Sequence, residues 1–306
     1  MAHIDHIRLR NFRSFMQAEC RLSPFTLVVG ANNSGKTNFL RAFTDYSRTR
    51  LLGTTPPPHR NTPEAPVVIE FDTSDGTPLD IRHPWPIYRF DPDVISRPES
   101  AAQSDPFVRE NGEGVTQVIE RLSEEGSPAF DAILSQFRSA ISAIESITLR
   151  TLPPGGKKTL MLQEHGLSGK TPLSDVSEGT RLVLALLTAL HQKEPPKLIL
   201  IEDIDRALHP RLYERLVRII DQIVRDTGVQ IIATSHNPYL IDEFQDNPEA
   251  VVLVEKANGM STLANLDDRL KVIDWDSPTV DEMPLGQMWF SGLVGGVPTL
   301  TRKPAA

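Results

Sequence analysis

Cysteine is nearly missing from this chain of 306 residues: Cys20 stands alone. That excludes a disulfide framework and a cysteine-rich zinc site, and it fits a reducing compartment. Long apolar runs are missing too. The longest, residues 182–190, covers nine positions with Thr188 inside it, well short of the roughly 18 residues that a membrane span needs. The start, Met1-Ala2-His3-Ile4-Asp5, lacks the basic and apolar regions of a secretory signal. These absences point away from secreted, membrane-spanning and metal-finger classes. The expectation is a cytoplasmic protein with no membrane partner.

What is present is the balance of a folded protein, 39% hydrophobic and 24% charged, with ample length to bury a core. Length alone predicts two domains, or one large α/β domain with insertions. The net charge of −8 is unevenly spread, since residues 1–60 carry nine Lys/Arg against three Asp/Glu. A basic surface built from Arg41, Arg48, Arg50 and Arg60 can bind DNA or RNA phosphates; equally, such arginines serve a nucleotide or solvate a face.

Proline is abundant, and eleven of the 25 prolines fall between Pro56 and Pro106. Proline removes a backbone donor and fixes φ, so no long helix fits there. Short apolar pieces at Val67-Val68-Ile69-Glu70-Phe71 and Leu79-Asp80-Ile81 predict an antiparallel sheet with long loops over 60–92. Helical spacing over 115–122 and 129–144 predicts a helical insertion within 93–150. From Ser177 onward the texture is α/β: a buried helix at 182–190, an apolar strand Leu198-Ile199-Leu200-Ile201 and an amphipathic helix over 210–226. Another strand follows at Val229-Gln230-Ile231-Ile232-Ala233, then a hairpin around Asn258-Gly259.

The sharpest motif is Gly30-Ala31-Asn32-Asn33-Ser34-Gly35-Lys36-Thr37, a complete G-x-x-x-x-G-K-T phosphate loop. A strand, Phe25-Thr26-Leu27-Val28-Val29, precedes it, and helical sequence follows from Asn38. Glycines let backbone N–H groups close around phosphate oxygens at a helix N-terminus. Candidate nucleotide-binding residues are Gly30, Asn32, Asn33, Ser34, Gly35, Lys36, Thr37 and Asn38, with Lys36 for the β- and γ-phosphates and Thr37 for Mg²⁺. A second Gly-Lys-Thr, within Gly166-Leu167-Ser168-Gly169-Lys170-Thr171, has Glu164 where the upstream glycine belongs and Pro172 directly after. It reads as a loop.

The 198–201 strand runs into Glu202-Asp203-Ile204-Asp205, and acids at the end of such a strand sit where α/β sheets bind ligands. Glu202 is the candidate metal ligand and Asp203 the group that orients the attacking water. Asp205 is either a further acid of the site or a helix cap. Upstream, Val176-Ser177-Glu178-Gly179-Thr180 opens a helix; Ser177 and Gly179 form either a second anion-binding device, engaging a partner subunit's γ-phosphate, or a plain helix cap. Thr234-Ser235-His236-Asn237-Pro238 follows the next strand, and His236 is a candidate sensor of the γ-phosphate. His209, just past the acids, is a candidate interface residue. Near the end, Met288-Trp289-Phe290 lies among glycines; it either anchors an interface or packs on its own segment.

Taken in order, Ile4-Asp5-His6-Ile7-Arg8-Leu9-Arg10-Asn11-Phe12-Arg13, GANNSGKT, VSEGT, LILIEDID and TSHNP resemble an ABC-type ATPase head. The likeness is strongest to bacterial AAA-family ATPases related to OLD-type proteins, with RecF and SMC heads more distant, and it runs from Ile4 to about Pro298. It implies an α/β P-loop NTPase with a mixed central sheet, an antiparallel β subdomain and a small helical insertion. The expected layout is a single head over 1–306: an N-terminal lobe at 1–92, the insertion at 93–150 and a C-terminal lobe at 151–306. It further implies ATP and Mg²⁺ as ligands, with a homodimer or higher even-numbered oligomer formed by heads that sandwich two nucleotides. By the same likeness Arg10, Asn11 and Arg13 lie near the base or α-phosphate.

Two departures stand out. The acid pair is Glu-Asp where common ABC patterns have Asp-Glu, and VSEGT carries Glu178 where many transporters have glycine; Gln163 is a candidate for the Q-loop glutamine. OLD nucleases carry a TOPRIM domain, yet about 50 residues follow the 251–255 strand, too few for one. The expectation is an ATPase switch of an anti-phage defence complex with a separately encoded nuclease or TOPRIM-like effector. The alternatives are a RecF-type repair ATPase and a regulatory module with little turnover.

Overall fold

A computed structural model describes residues 3–100, 106–273 and 283–297. In chain order its strands are β1 (Ile4–Phe12), β2 (Phe15–Arg21), β3 (Phe25–Val29), β4 (Val68–Thr73), β5 (Ile87–Tyr88), β6 (Ile144–Leu152), β7 (Lys157–Glu164), β8 (Lys170–Pro172), β9 (Leu198–Ile201), β10 (Gln230–Ser235), β11 (Val251–Ala257) and β12 (Met260–Asn265). The helices are α1 (Lys36–Leu52), α2 (Pro92–Ile95), α3 (Val115–Glu124), α4 (Pro128–Ala140), α5 (Glu178–His191), α6 (Tyr213–Thr227), α7 (Pro238–Asp242), α8 (Leu266–Leu270) and α9 (Leu285–Phe290). They form two compact units. One comprises Met1–Ile87, Leu198–Asp205 and Thr227–Ala306; the other comprises Tyr88–Lys197 and Arg206–Asp226. Among the described residues, no helix is long and apolar enough to cross a membrane.

The first unit carries a mixed sheet in the order β12-β11-β3-β10-β9. Strands β11, β3, β10 and β9 run parallel and β12 runs antiparallel to β11. All five residues of β3 are buried, as a strand covered on both faces requires. Asn258 and Gly259, both at positive φ, turn the β11–β12 hairpin. A second sheet, β2-β1-β4, is antiparallel. Along β1 the apolar Ile7 and Leu9 point into the core while Arg8 pairs outward with Glu70 and Asp72 on β4. Helix α1 buries Phe39, Leu40 and Phe43 against these strands, with Phe43 stacked on Phe71 at 5.1 Å between ring centroids. It stops at Gly53, whose left-handed φ of 68° lets its N–H return to the Thr49 carbonyl.

The prediction of several strands over 60–92 needs correction. Only β4 pairs antiparallel with β1, and β5 has two residues. Leu79 and Ile81 lie outside any strand and pack on the core as loop side chains, because Pro78 and Pro84 withhold donors from a ladder.

The second unit has an antiparallel sheet β6-β7-β8 and the helices α2 to α6. The helix expected to run to Ile144 ends at Ala140, and Ile144 instead opens β6 opposite Glu164 of β7. The distant partner strand overrides the local spacing. The second Gly-Lys-Thr, expected as loop throughout, contributes Lys170–Pro172 as an edge strand against β7; edge positions tolerate the terminal proline.

Candidate functional site

Strand β3 delivers the phosphate loop, and α1 starts at its end with Lys36. Gly30 is tightly enclosed: a Cβ there would lie 2.4 Å from the Val254 carbonyl oxygen. Gly35 has φ +122°, and a Cβ on it would meet Ser261 Oγ at 2.5 Å. Both positions therefore demand glycine. Ser261 also donates to the Ser34 carbonyl at 2.6 Å, tying the loop to β12. Asn32 and Asn33 are exposed at its tip, and Asn33 takes φ 64°. Lys36 Nζ folds back to donate to the carbonyls of Gly30 at 2.7 Å and Ala31 at 3.1 Å. Burial lowers its pKa, opposed by the negative field of Asp203, Asp205 and Glu202.

The Thr37 hydroxyl donates directly to Glu202 Oε1. This links the helix start to the end of β9, although β10 lies between β3 and β9 in the sheet. Asp203 follows with φ 51°. Its N–H donates to Thr234 Oγ1, and that of Ile204 to the Thr234 carbonyl, both at 3.0 Å. The acidic turn is thus fixed to the end of β10. His236 Nδ1 lies 3.8 Å from Asp203 Oδ1, both side chains about half exposed. Asp205 is buried, with one oxygen unpartnered. Burial raises its pKa; a hydrogen bond from Ser235 opposes this.

These residues fit a magnesium nucleotide. The loop is held tightly by Val254 and Ser261 at its two glycines, and Ser34 Oγ is buried without a partner. Thr37 and Glu202 offer a hydroxyl and a carboxylate at one point, donors that suit Mg²⁺ completed by phosphate oxygens and water. Among the described residues no group of three His, Cys, Asp or Glu gathers to hold a metal by itself.

The other candidates stand elsewhere. Arg13 is ion-paired to Asp45 of α1 at 2.8 Å. Asn11 is buried in bonds to Thr62 and the Ala65 carbonyl, while Arg10 is exposed on β1. Asn38 donates to Ser14 Oγ at 3.0 Å. In the second unit, Ser177 Oγ accepts from the Thr180 N–H at 3.2 Å as the N-cap of α5. A Cβ on Gly179 would sit 2.6 Å from the Ala207 carbonyl, so close packing alone demands this glycine. Gln163 donates to the Leu167 carbonyl at 2.7 Å, closing its own turn. His209 caps the turn that precedes α6. Back in the first unit, Trp289 is buried and Phe290 is 72% exposed, so the two aromatics that the sequence treats together part company.

Comparison with known proteins adds a family. The family described as "AAA domain, putative AbiEii toxin, Type IV TA system" matches residues 77–242, more than half of the chain. The chain belongs to this AAA family. A second model of this AAA type, "AAA ATPase domain", matches residues 3–48 of the AAA chain. No curated protein matches it. Among solved structures, an SMC head bound to the C-terminal winged-helix domain of ScpA aligns at TM-score 0.56 and 14% identity, covering 88% of this chain and 100% of that one. The Pyrococcus furiosus SMC head with an extended coiled coil, bound to the C-terminal domain of ScpA, aligns at TM-score 0.52 and 15% identity, covering 89% and 98%. The fold of this AAA protein is therefore that of an SMC-type head, an α/β ATPase fold with a mixed sheet and separate antiparallel sheets.

Proposed function

We propose that this chain binds Mg-ATP in the 30–37 loop, hydrolyses it, and uses the nucleotide to pair two heads. The observation that carries the reading is the convergence of Lys36, Thr37 and Glu202 at the mouth of a loop closed to side chains by Gly30 and Gly35. Lys36 leaves its two carbonyls to hold the β- and γ-phosphates. Thr37 and Glu202 hold Mg²⁺, which when bound neutralises charge on the phosphate oxygens. Asp203 accepts a proton from the water whose oxygen attacks the γ-phosphorus, as the bond to the β–γ bridging oxygen breaks. His236, beside Asp203, reads whether the γ-phosphate is present. Ser177 and Gly179 of a second copy complete each site, so the working unit is a dimer or a higher even number. On this reading residues 1–306 form a single head. Arg13, given its bond to Asp45, has a supporting role.

The biological setting we propose is a cytoplasmic switch in anti-phage defence that licenses a separate nuclease or TOPRIM-like effector. The family's printed description, a "putative AbiEii toxin" of a toxin–antitoxin system, supports a part in a system that harms the cell on a signal, and SMC heads solved with ScpA domains support docking of a second protein. A RecF-type role on DNA is favoured only by the exposure of Arg48, Arg50 and Arg60. A low-turnover regulatory module is favoured by Asp203, one methylene shorter than glutamate.

Asp203→Asn tests the reading. The variant is expected to bind Mg-ATP, lose hydrolysis, and run as a larger species by light scattering with ATP than wild type does with ADP. Normal hydrolysis by this variant would remove Asp203 from its role.

A further inference from the structure

The segment 285–297 touches both sides of the nucleotide site. At one end the Gly286 N–H donates to Asp242 Oδ1 at 2.8 Å. The fit is close, since a Cβ on Gly286 would lie 2.1 Å from the Pro238 carbonyl. Pro238 and Asp242 bound α7, which begins two residues after His236. At the other end the Gly296 carbonyl accepts the Ala31 N–H at 3.2 Å. The Gly296 N–H is held in turn by Glu255 Oε1 at 2.6 Å. Gly295 and Gly296 take φ near +80°, and a Cβ on Gly295 would lie 1.9 Å from Glu255 Oε1. Between the ends, Met288, Trp289 and Val294 are buried while residues 290–293 are exposed, so the segment is seated at points on either side of an exposed turn.

The bond at Ala31 matters because of what shares its peptide group. The Ala31 N–H and the Gly30 carbonyl belong to one planar unit. Gly296 holds the N–H, and Lys36 Nζ holds the carbonyl at 2.7 Å. A movement of Lys36 toward phosphate frees one end of that plane while the segment still grips the other.

We propose that residues 285–297 brace the phosphate loop against the helix that follows His236, with Glu255 and Asp242 as positioning residues that anchor its two ends. The inference rests on nucleotide binding in the 30–37 loop. Glu255 keeps the Ala31 peptide aimed, and Asp242 keeps α7 in step with it, so loading of the loop is felt at α7. Each anchor meets the segment through one hydrogen bond, the other oxygen of Glu255 pairing with Arg269 at 3.4 Å, so loss of an anchor is expected to weaken Mg-ATP binding roughly three- to tenfold.

The test uses the full chain with a fluorescent ATP analogue and amide hydrogen exchange. Glu255→Ala and Asp242→Ala should each weaken binding by that factor. The double variant should be no weaker than the worse single one, because a brace released at either end is already disconnected. Glu255→Gln, which keeps an acceptor for the Gly296 N–H, should bind as wild type does. In wild type, a nonhydrolysable ATP analogue with Mg²⁺ should slow exchange in α7; in Glu255→Ala that slowing should vanish even at saturation. Thermal melts check that each variant is folded, and if Glu255→Ala fails to fold, the Asp242→Ala and Glu255→Gln arms decide. Multiplicative losses in the double variant, or an α7 response that survives in Glu255→Ala, would overturn the brace while leaving nucleotide binding intact. Absence of binding in wild type overturns both.

Discussion

Asp205 carries a cost that the site imposes on the fold. The residue is 6% exposed, and burial raises its pKa above the ordinary 3.8. An acid whose folded value exceeds its unfolded value binds its proton more tightly in the folded state. Stability is therefore lost as pH rises from about 3.8 through the folded value, and the loss persists at neutral pH. Asparagine keeps an acceptor for the Ser235 hydroxyl and removes the buried charge. Asp205→Asn should thus melt higher than wild type at pH 7, with the gain shrinking as the pH approaches 4. Melts across that range check it; a gain independent of pH would mean that the charge is not the cause. Lys36 feels the same burial with the opposite sign, its pKa lowered, and the acids around it are what offset the loss.

At the scale of elements, α1 links the site to the core. Phe43 is fully buried, stacked on Phe71 and 5.4 Å edge-to-face from Phe39. Phe43→Ala should cost about 3–5 kcal/mol in denaturant unfolding; a loss below about 1 kcal/mol would mean that the cluster can collapse onto the gap. Strand β3 and the start of α1 were legible in the sequence because five apolar residues and a glycine-lysine motif are local signals. Local spacing alone extends α4 to Ile144 and makes 79–81 a strand, because the partners that decide otherwise lie far along the chain or are missing. The contacts that shape the loop are of the same kind. Ser261 reaches Ser34 across 227 residues, and Gly296 reaches Ala31 from near the far end of the chain. Neither spacing nor periodicity carries such contacts. A paired stretch such as Trp289 and Phe290 likewise reads as one feature until packing separates the buried ring from the exposed one.

For the whole molecule, the proposed sandwich makes each site belong to two copies. Ser177→Arg places a cation where a second copy's γ-phosphate would dock, and Lys36→Ala disables the loop, so each should lack ATPase activity alone. A mixed pair keeps one whole site, formed by the loop of the Ser177→Arg chain and the 177–179 turn of the Lys36→Ala chain. Partial recovery of activity on mixing is expected; no recovery at any ratio would argue for sites completed within one chain. Beneath all of this lies the claim that the 30–37 loop holds Mg-ATP through Lys36, since no other residue of that loop carries a charge. Calorimetric titration of Mg-ATP into wild type and into Lys36→Ala tests it most directly. Saturable binding to wild type and none to the variant is the predicted result; equal binding to both, or none to wild type, would contradict it.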